Sequence, residues 1–153
     1  MSKQGAGILL YRLGPHGIEF LLVHPGGPFW AKKDEGAWSI PKGEYEADED
    51  PLQAALREFE EEIGTRPVGD TVPLTPIVQK GGKLVTAWAL EADLEPAAVR
   101  SNTFSMEWPP RSGRMQSFPE IDRAEWLTLE QARARINGAQ LPLLEELARK
   151  LSS

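Results

Sequence analysis

The run "REFEEEIG" at residues 57–64 sets four glutamates, Glu58, Glu60, Glu61 and Glu62, within five consecutive positions. On a helix Glu58, Glu61 and Glu62 fall at i, i+3 and i+4 and share a face, while Glu60 points elsewhere. Such crowding costs about 0.2–0.5 kcal/mol per exposed i,i+4 pair of like charges. Negative charge near the C-terminal end of a helix also works against the macrodipole. No lysine stands four residues away from any of the three to offset them. Two chemistries accommodate this pattern. It is a solvated acidic face, or it is a surface that grips divalent cations, which would relieve both penalties.

Composition restricts what else the chain can do. It contains no cysteine, which excludes disulfides, thiolate catalysis and Cys-based zinc sites. With two histidines, His16 and His24, a histidine-rich metal centre is excluded as well. Any metal is therefore held by oxygen, which favours Mg²⁺, Mn²⁺ or Ca²⁺. The D-x-[DN]-x-[DN]-G loop of a calcium hand is missing. The net charge of −6 disfavours nonspecific binding to a nucleic-acid backbone. Between Glu44 and Glu62 the only base is Arg57. No apolar run approaches the roughly 18–20 residues that span a bilayer, and the first residues carry no secretory cleavage pattern. A cytoplasmic protein, monomer or homodimer, is the expectation. The 153 residues, with 41% hydrophobic and 26% charged, suit one domain with a single core.

The acidic stretch needs a helix under it, and the sequence supplies the signals. Asp50 is an N-cap, Pro51 suits the first helical position and Gln53 completes a D-x-x-Q capping box. Leu52, Ala55, Leu56, Phe59 and Ile63 form one apolar stripe at about 100° per residue, and Gly64 ends the element. Upstream, "AGILLYRLG" and "GIEFLLVHPGG" read as a hairpin about a Gly-Pro-His-Gly turn. His16 falls in that turn and His24 at a strand end. The Gly- and Pro-rich "GGPFWAKKDEGAWSIPKGE" reads as loop with a short strand at 38–40. Downstream, "VPLTPIVQK" and "KLVTAWALEAD" read as strands about Gly81 and Gly82. The Pro-punctuated stretch from Val99 to Thr128 reads as loop with short strand pieces. Two closing helices follow, the first capped by Thr128. A mixed α/β domain results.

The segment "GEYEADEDPLQAALREFEEEIGT" at 43–65 resembles the Nudix box, G-x5-E-x7-R-E-U-x-E-E-x-G-U, where U is bulky and aliphatic. Gly43, Glu49, Arg57, Glu58, Glu61, Glu62 and Gly64 are in register. Phe59 replaces an aliphatic residue conservatively, and Thr65 departs at the last position. The resemblance implies an α/β/α sandwich with a mixed β-sheet, and hydrolysis of a nucleoside diphosphate linked to another moiety. It implies that Glu58, Glu61 and Glu62 coordinate Mg²⁺ or Mn²⁺, with the Gly43 carbonyl as a further ligand. Arg57 then orients Glu58 through a salt bridge, and Glu49 supports the loop or holds a second metal. The family also draws one carboxylate, as base or ligand, from late in the chain. Glu120, in "SFPEIDRAEWL", is the first choice and Glu107, in "SMEWPP", the second.

The substrate is less legible. "WSIPKGE", residues 38–44, resembles the W-x-x-P-K-G-H run of asymmetric diadenosine tetraphosphate hydrolases, with Glu44 in place of histidine. Nucleoside triphosphates, including oxidised ones, and ADP-sugars remain alternatives. A module that has kept the fold and lost catalysis would have eroded its glutamates, and here they are complete. Among the loop cations, Lys42, Arg111 and Arg114 are the candidates for phosphate binding. Trp30, Trp38, Tyr45 and Trp108 are the aromatic residues that could stack on a base.

Overall fold

The structure, a computed structural model, describes residues 4–152. Strand β1 (Gln4–Gly14) alternates between two cores: Leu9 and Tyr11 face one, Ala6, Ile8 and Leu10 the other. A strand buried on both faces belongs at the centre of a sheet. It pairs antiparallel with β2 (Gly17–Pro25), closing the hairpin at Gly14 and Gly17. It also pairs parallel with β6 (Lys83–Glu91). With β9 (Ile121–Thr128) along β2 and β4 (Thr71–Pro73) along β6, the path runs β4-β6-β1-β2-β9. Two short strands, β3 (Lys42–Tyr45) on β1 and β5 (Ile77–Gln79) on β6, complete a seven-stranded mixed sheet.

Helix α1 (Pro51–Ile63) covers one face of the sheet, burying Ala54, Ala55, Phe59 and Ile63 against Ile8, Leu10, Leu21 and Val23. Its cap follows from the sequence: the Asp50 carboxylate accepts from the Gln53 amide at 3.0 Å. The Gln53 side chain itself accepts from Arg66. Gly64 ends the helix at φ 99°, a left-handed conformation that glycine adopts without strain. On the opposite face α2 (Leu129–Arg135) and α3 (Leu141–Ser152) bury Ala132, Leu143, Leu144 and Leu147. Thr128 and Gln131 form the reciprocal capping box that starts α2. The result is the expected α/β/α sandwich about a mixed sheet. Among the described residues no helix is long and apolar enough to cross a membrane. Ser153, the last residue of the expected closing helix, lies outside the described residues.

Three expectations need correction. The strand in the first loop lies at Lys42–Tyr45, while Trp38 and Ser39 make only isolated bridges. Lys42, Gly43 and Glu44 have little intrinsic strand preference, and pairing with β1 imposes the conformation. The stretch 72–80 is broken between β4 and β5, where Pro76 offers no donor. The largest miss is 99–128. It contains a hairpin, β7 (Thr103–Glu107) with β8 (Met115–Pro119), and then β9, an eight-residue strand of the main sheet.

Candidate active site

Strand β3 enters the site against the acidic face of α1. A Cβ placed on Gly43 would lie 1.8 Å from Oε1 of Glu58 and 2.2 Å from its Cδ. Only glycine lets the strand pass this close to the carboxylate. Arg57 donates to Glu58 Oε2 through Nη2 at 3.2 Å, to Glu49 Oε2 through Nη1, and its Nε lies 4.0 Å from Glu61. Glu49 also accepts from the Glu46 amide, and this bond together with Arg57 holds its carboxyl below the usual range. Glu49 is thereby fixed as a strut between the loop and the helix. Glu60 is exposed and lies 4.0 Å from Arg66.

Glu58, Glu62 and Glu120 act on one another electrostatically. Burial raises Glu58, and the charges of Glu61 and Glu120 add to it against Arg57. Burial raises Glu120 too, with Glu61 contributing. Glu62 is pushed up to about 8, mainly by burial, with Glu58 and Glu120 adding and Lys42 opposing. The Lys42 amide donates to the Glu62 carboxylate, and burial together with Lys83 lowers the Lys42 ammonium. Lys42 therefore stands beside the cluster, whereas Glu44, the position that departs from histidine, faces Lys83 at 3.4 Å.

This assigns a sign to the pH dependence of the metal-free protein. Unfolded, Glu62 ionises near 4.5; folded, it keeps its proton to about pH 8. Stability is therefore unpenalised below about pH 4.5, falls as pH rises from there to about 8, and levels off above. Glu62→Gln should flatten that slope and raise the melting temperature at pH 8, measured by thermal denaturation in chelator.

Glu120 is carried to the cluster by backbone. The Asn102 amide donates to Glu61 O at 2.9 Å, the Glu120 amide to Asn102 O at 2.9 Å, and the Gly26 amide to Glu120 O at 2.8 Å. One chain of hydrogen bonds thus joins the last turn of α1, the segment before β7, the start of β9 and the end of β2. Gly26 is required at this joint, since a Cβ there would meet Pro119 O at 2.0 Å. Backbone, unlike a side-chain tip, cannot step aside cheaply. Gly26→Ala should cost about 1–3 kcal/mol and lower turnover by displacing Glu120, read by denaturation and by kcat.

Other candidates lie elsewhere. Glu107 accepts from the Arg111 and Gly113 amides at 3.0 Å each and closes the β7–β8 turn, so it is a structural residue of the hairpin. Arg111 and Arg114 are exposed at that hairpin's tip. Trp38 and Tyr45 are buried in the two cores, which removes both as stacking surfaces. Among the described residues no three His, Asp or Glu side chains are gathered tightly enough to hold a cation as they stand. Sequence reasoning missed Asn102 and Gly26, which act only through main chain and carry no chemical signal. It also passed over His24, which is fully buried, 2.7 Å from Asp122 and bonded to the Lys33 carbonyl.

The NUDIX domain family model matches residues 1–147. The chain is 36% identical over 101 residues to an octanoyltransferase of Myxococcus xanthus, covering 66% of this chain and 25% of that protein. It is 29% identical over 126 residues to an RNA pyrophosphohydrolase of Acidiphilium cryptum, covering 73% of this chain and 70% of that one. The chain spans 22% to 33% of the length of several of the curated relatives it matches. Among solved structures, the C. elegans Ap4A hydrolase binary complex superposes with a TM-score of 0.69 at 24% identity, over 97% of this chain and 98% of that one. The chain belongs to the NUDIX family.

Proposed function

We propose that the chain hydrolyses a pyrophosphate linkage in a nucleoside polyphosphate with the help of Mg²⁺ or Mn²⁺, diadenosine tetraphosphate being the first substrate to try. The observation that supports this reading is that Glu58, Glu61 and Glu62 on α1 and Glu120, the residue before β9, lie within electrostatic reach of one another, with Lys42 beside them. A divalent cation fits by donor chemistry. Every candidate ligand is a hard oxygen, and the carboxylates repel one another until positive charge lies between them. Glu58, Glu61 and Glu62 would hold it, with the carbonyl of Gly43, whose backbone packs against the Glu58 side chain, as a further ligand. When bound, the metal neutralises phosphate oxygens and favours ionisation of water.

The chain's own residues supply the rest. Arg57 fixes the Glu58 carboxylate through its guanidinium, and Glu49 fixes Arg57. The Lys42 ammonium attracts the phosphates toward a face that would otherwise repel them. The Glu120 carboxylate takes the proton from the attacking water, and its raised pKa makes it the stronger base. As the new oxygen–phosphorus bond forms, the bridging oxygen leaves with the departing phosphate.

A second reading, cleavage of a nucleoside 5′-triphosphate end, is favoured by the relative named RNA pyrophosphohydrolase. Product analysis by mass spectrometry decides between them. Release of AMP and ATP from diadenosine tetraphosphate supports the first; release of pyrophosphate from 5′-triphosphates supports the second. No anhydride cleavage with either substrate, at any Mg²⁺ or Mn²⁺ concentration, would refute both.

A further inference from the structure

In an acidic protein, one exposed patch collects aromatic rings and cations. Phe29 and Trp30, in the loop after β2, are 61% and 41% exposed. Phe29 meets Trp108 edge to face, with ring centroids 5.5 Å apart, so the loop and the β7–β8 hairpin share one surface. Lys33 lies over Trp30, with Nζ 5.3 Å from the ring centroid. Arg111 and Arg114 project from the hairpin turn, and their guanidinium groups meet no carboxylate among the described residues. The loop is pinned: Trp38 Nε1 donates to Asp34 at 2.6 Å, and His24 bonds the Lys33 carbonyl. A Cβ on Gly27 would sit 2.8 Å from the Phe104 ring, so loop and hairpin are in close contact. The loop that carries the patch is tied to the strand end that carries Glu120, because the Gly26 amide, three residues before Phe29, donates to Glu120 O at 2.8 Å.

We infer that Phe29, Trp30 and Trp108 form a preorganised stacking platform for the nucleobase of the substrate, rimmed by Lys33, Arg111 and Arg114. The rings offer faces that any base can stack on. The rim offers positive charge to the adjoining phosphates, and the pinned loop lowers the ordering cost of binding. An occupant that is both aromatic and polyanionic matches the patch, whereas an apolar partner would leave the cations unmet. This inference rests on the proposed hydrolysis for its placement, but not for its test.

That test is binding without turnover, by calorimetry on the full chain. The two probes are ATP with both phosphate bridges replaced by methylene and the base-free methylenediphosphonate. The wild type should bind the base-bearing probe the more tightly. Phe29→Ala should weaken that probe by about tenfold or more, leave the base-free one within twofold, and Phe29→Tyr should restore affinity. Equal weakening of both probes, no weakening of either, or no preference for the base in the wild type overturns the platform. Base-selective binding through Phe29 in a chain that cleaves no anhydride keeps the platform and refutes the hydrolytic reading. Cleavage indifferent to the base does the reverse.

Discussion

Replacing Glu61 with Gln is expected to lower turnover by about a thousandfold and to leave the fold intact. The two effects have separate causes. Glu61 is half-exposed, and its nearest cation, Arg57 Nε, lies 4.0 Å away, too far for a strong bond. Its charge raises Glu58 and Glu120, so in the metal-free protein it is a net source of repulsion. Deleting that charge should leave the melting temperature in chelator equal to that of the wild type or higher. In Mg²⁺ the order should reverse, because the wild type gains binding energy that the variant has lost. Steady-state kinetics and paired melts with and without metal check both halves.

Gly43→Ala should be nearly as damaging to catalysis while costing little stability. The added methyl would fall 1.8 Å from Glu58 Oε1, so the Glu58 side chain must swing away. A side-chain tip can rotate, unlike the carbonyl that blocks Gly26, and the price is local. Swinging it away breaks the 3.2 Å bond from Arg57 and removes a proposed ligand. A loss in kcat of about a hundredfold or more with a melting temperature within a few degrees is expected. If instead kcat survived, Glu58 would be dispensable. A denaturant midpoint measured beside kcat separates the two results.

What could be read before folding was local. The α1 cap, stripe and stop depend on residues within a turn of one another, and Asp50, Phe59 and Gly64 all behave as their chemistry dictates. The same holds for Thr128 and Gln131 at α2. Three of the four clustered carboxylates lie on that one helix, so spacing alone brought them together. Glu120 comes from 58 positions beyond Glu62, and its placement is made by Asn102 and Gly26 through main-chain bonds whose partners are distant in the chain, as is the Pro119 carbonyl that demands glycine at position 26. Strand β3 was missed because Lys42–Tyr45 gains its strand from β1. Strand β9 was missed because Pro119 precedes it and charged residues interrupt it, although its partner β2 accepts it along seven paired positions. Trp38 and Tyr45 look like ligand-facing aromatics in a loop, and burial is a property of the whole fold.

The most direct measurement is a calorimetric titration of the chain with Mg²⁺ or Mn²⁺ at pH 7, repeated in buffers of different ionisation enthalpy. Because Glu62 holds its proton to about pH 8 when no metal is bound, cation binding should release protons, and the heat should depend on the buffer. Glu62→Gln should remove that dependence, and Glu58→Gln and Glu61→Gln should weaken the affinity. Absence of binding, or binding of equal strength with all three glutamates replaced, would contradict a cation site on this helix.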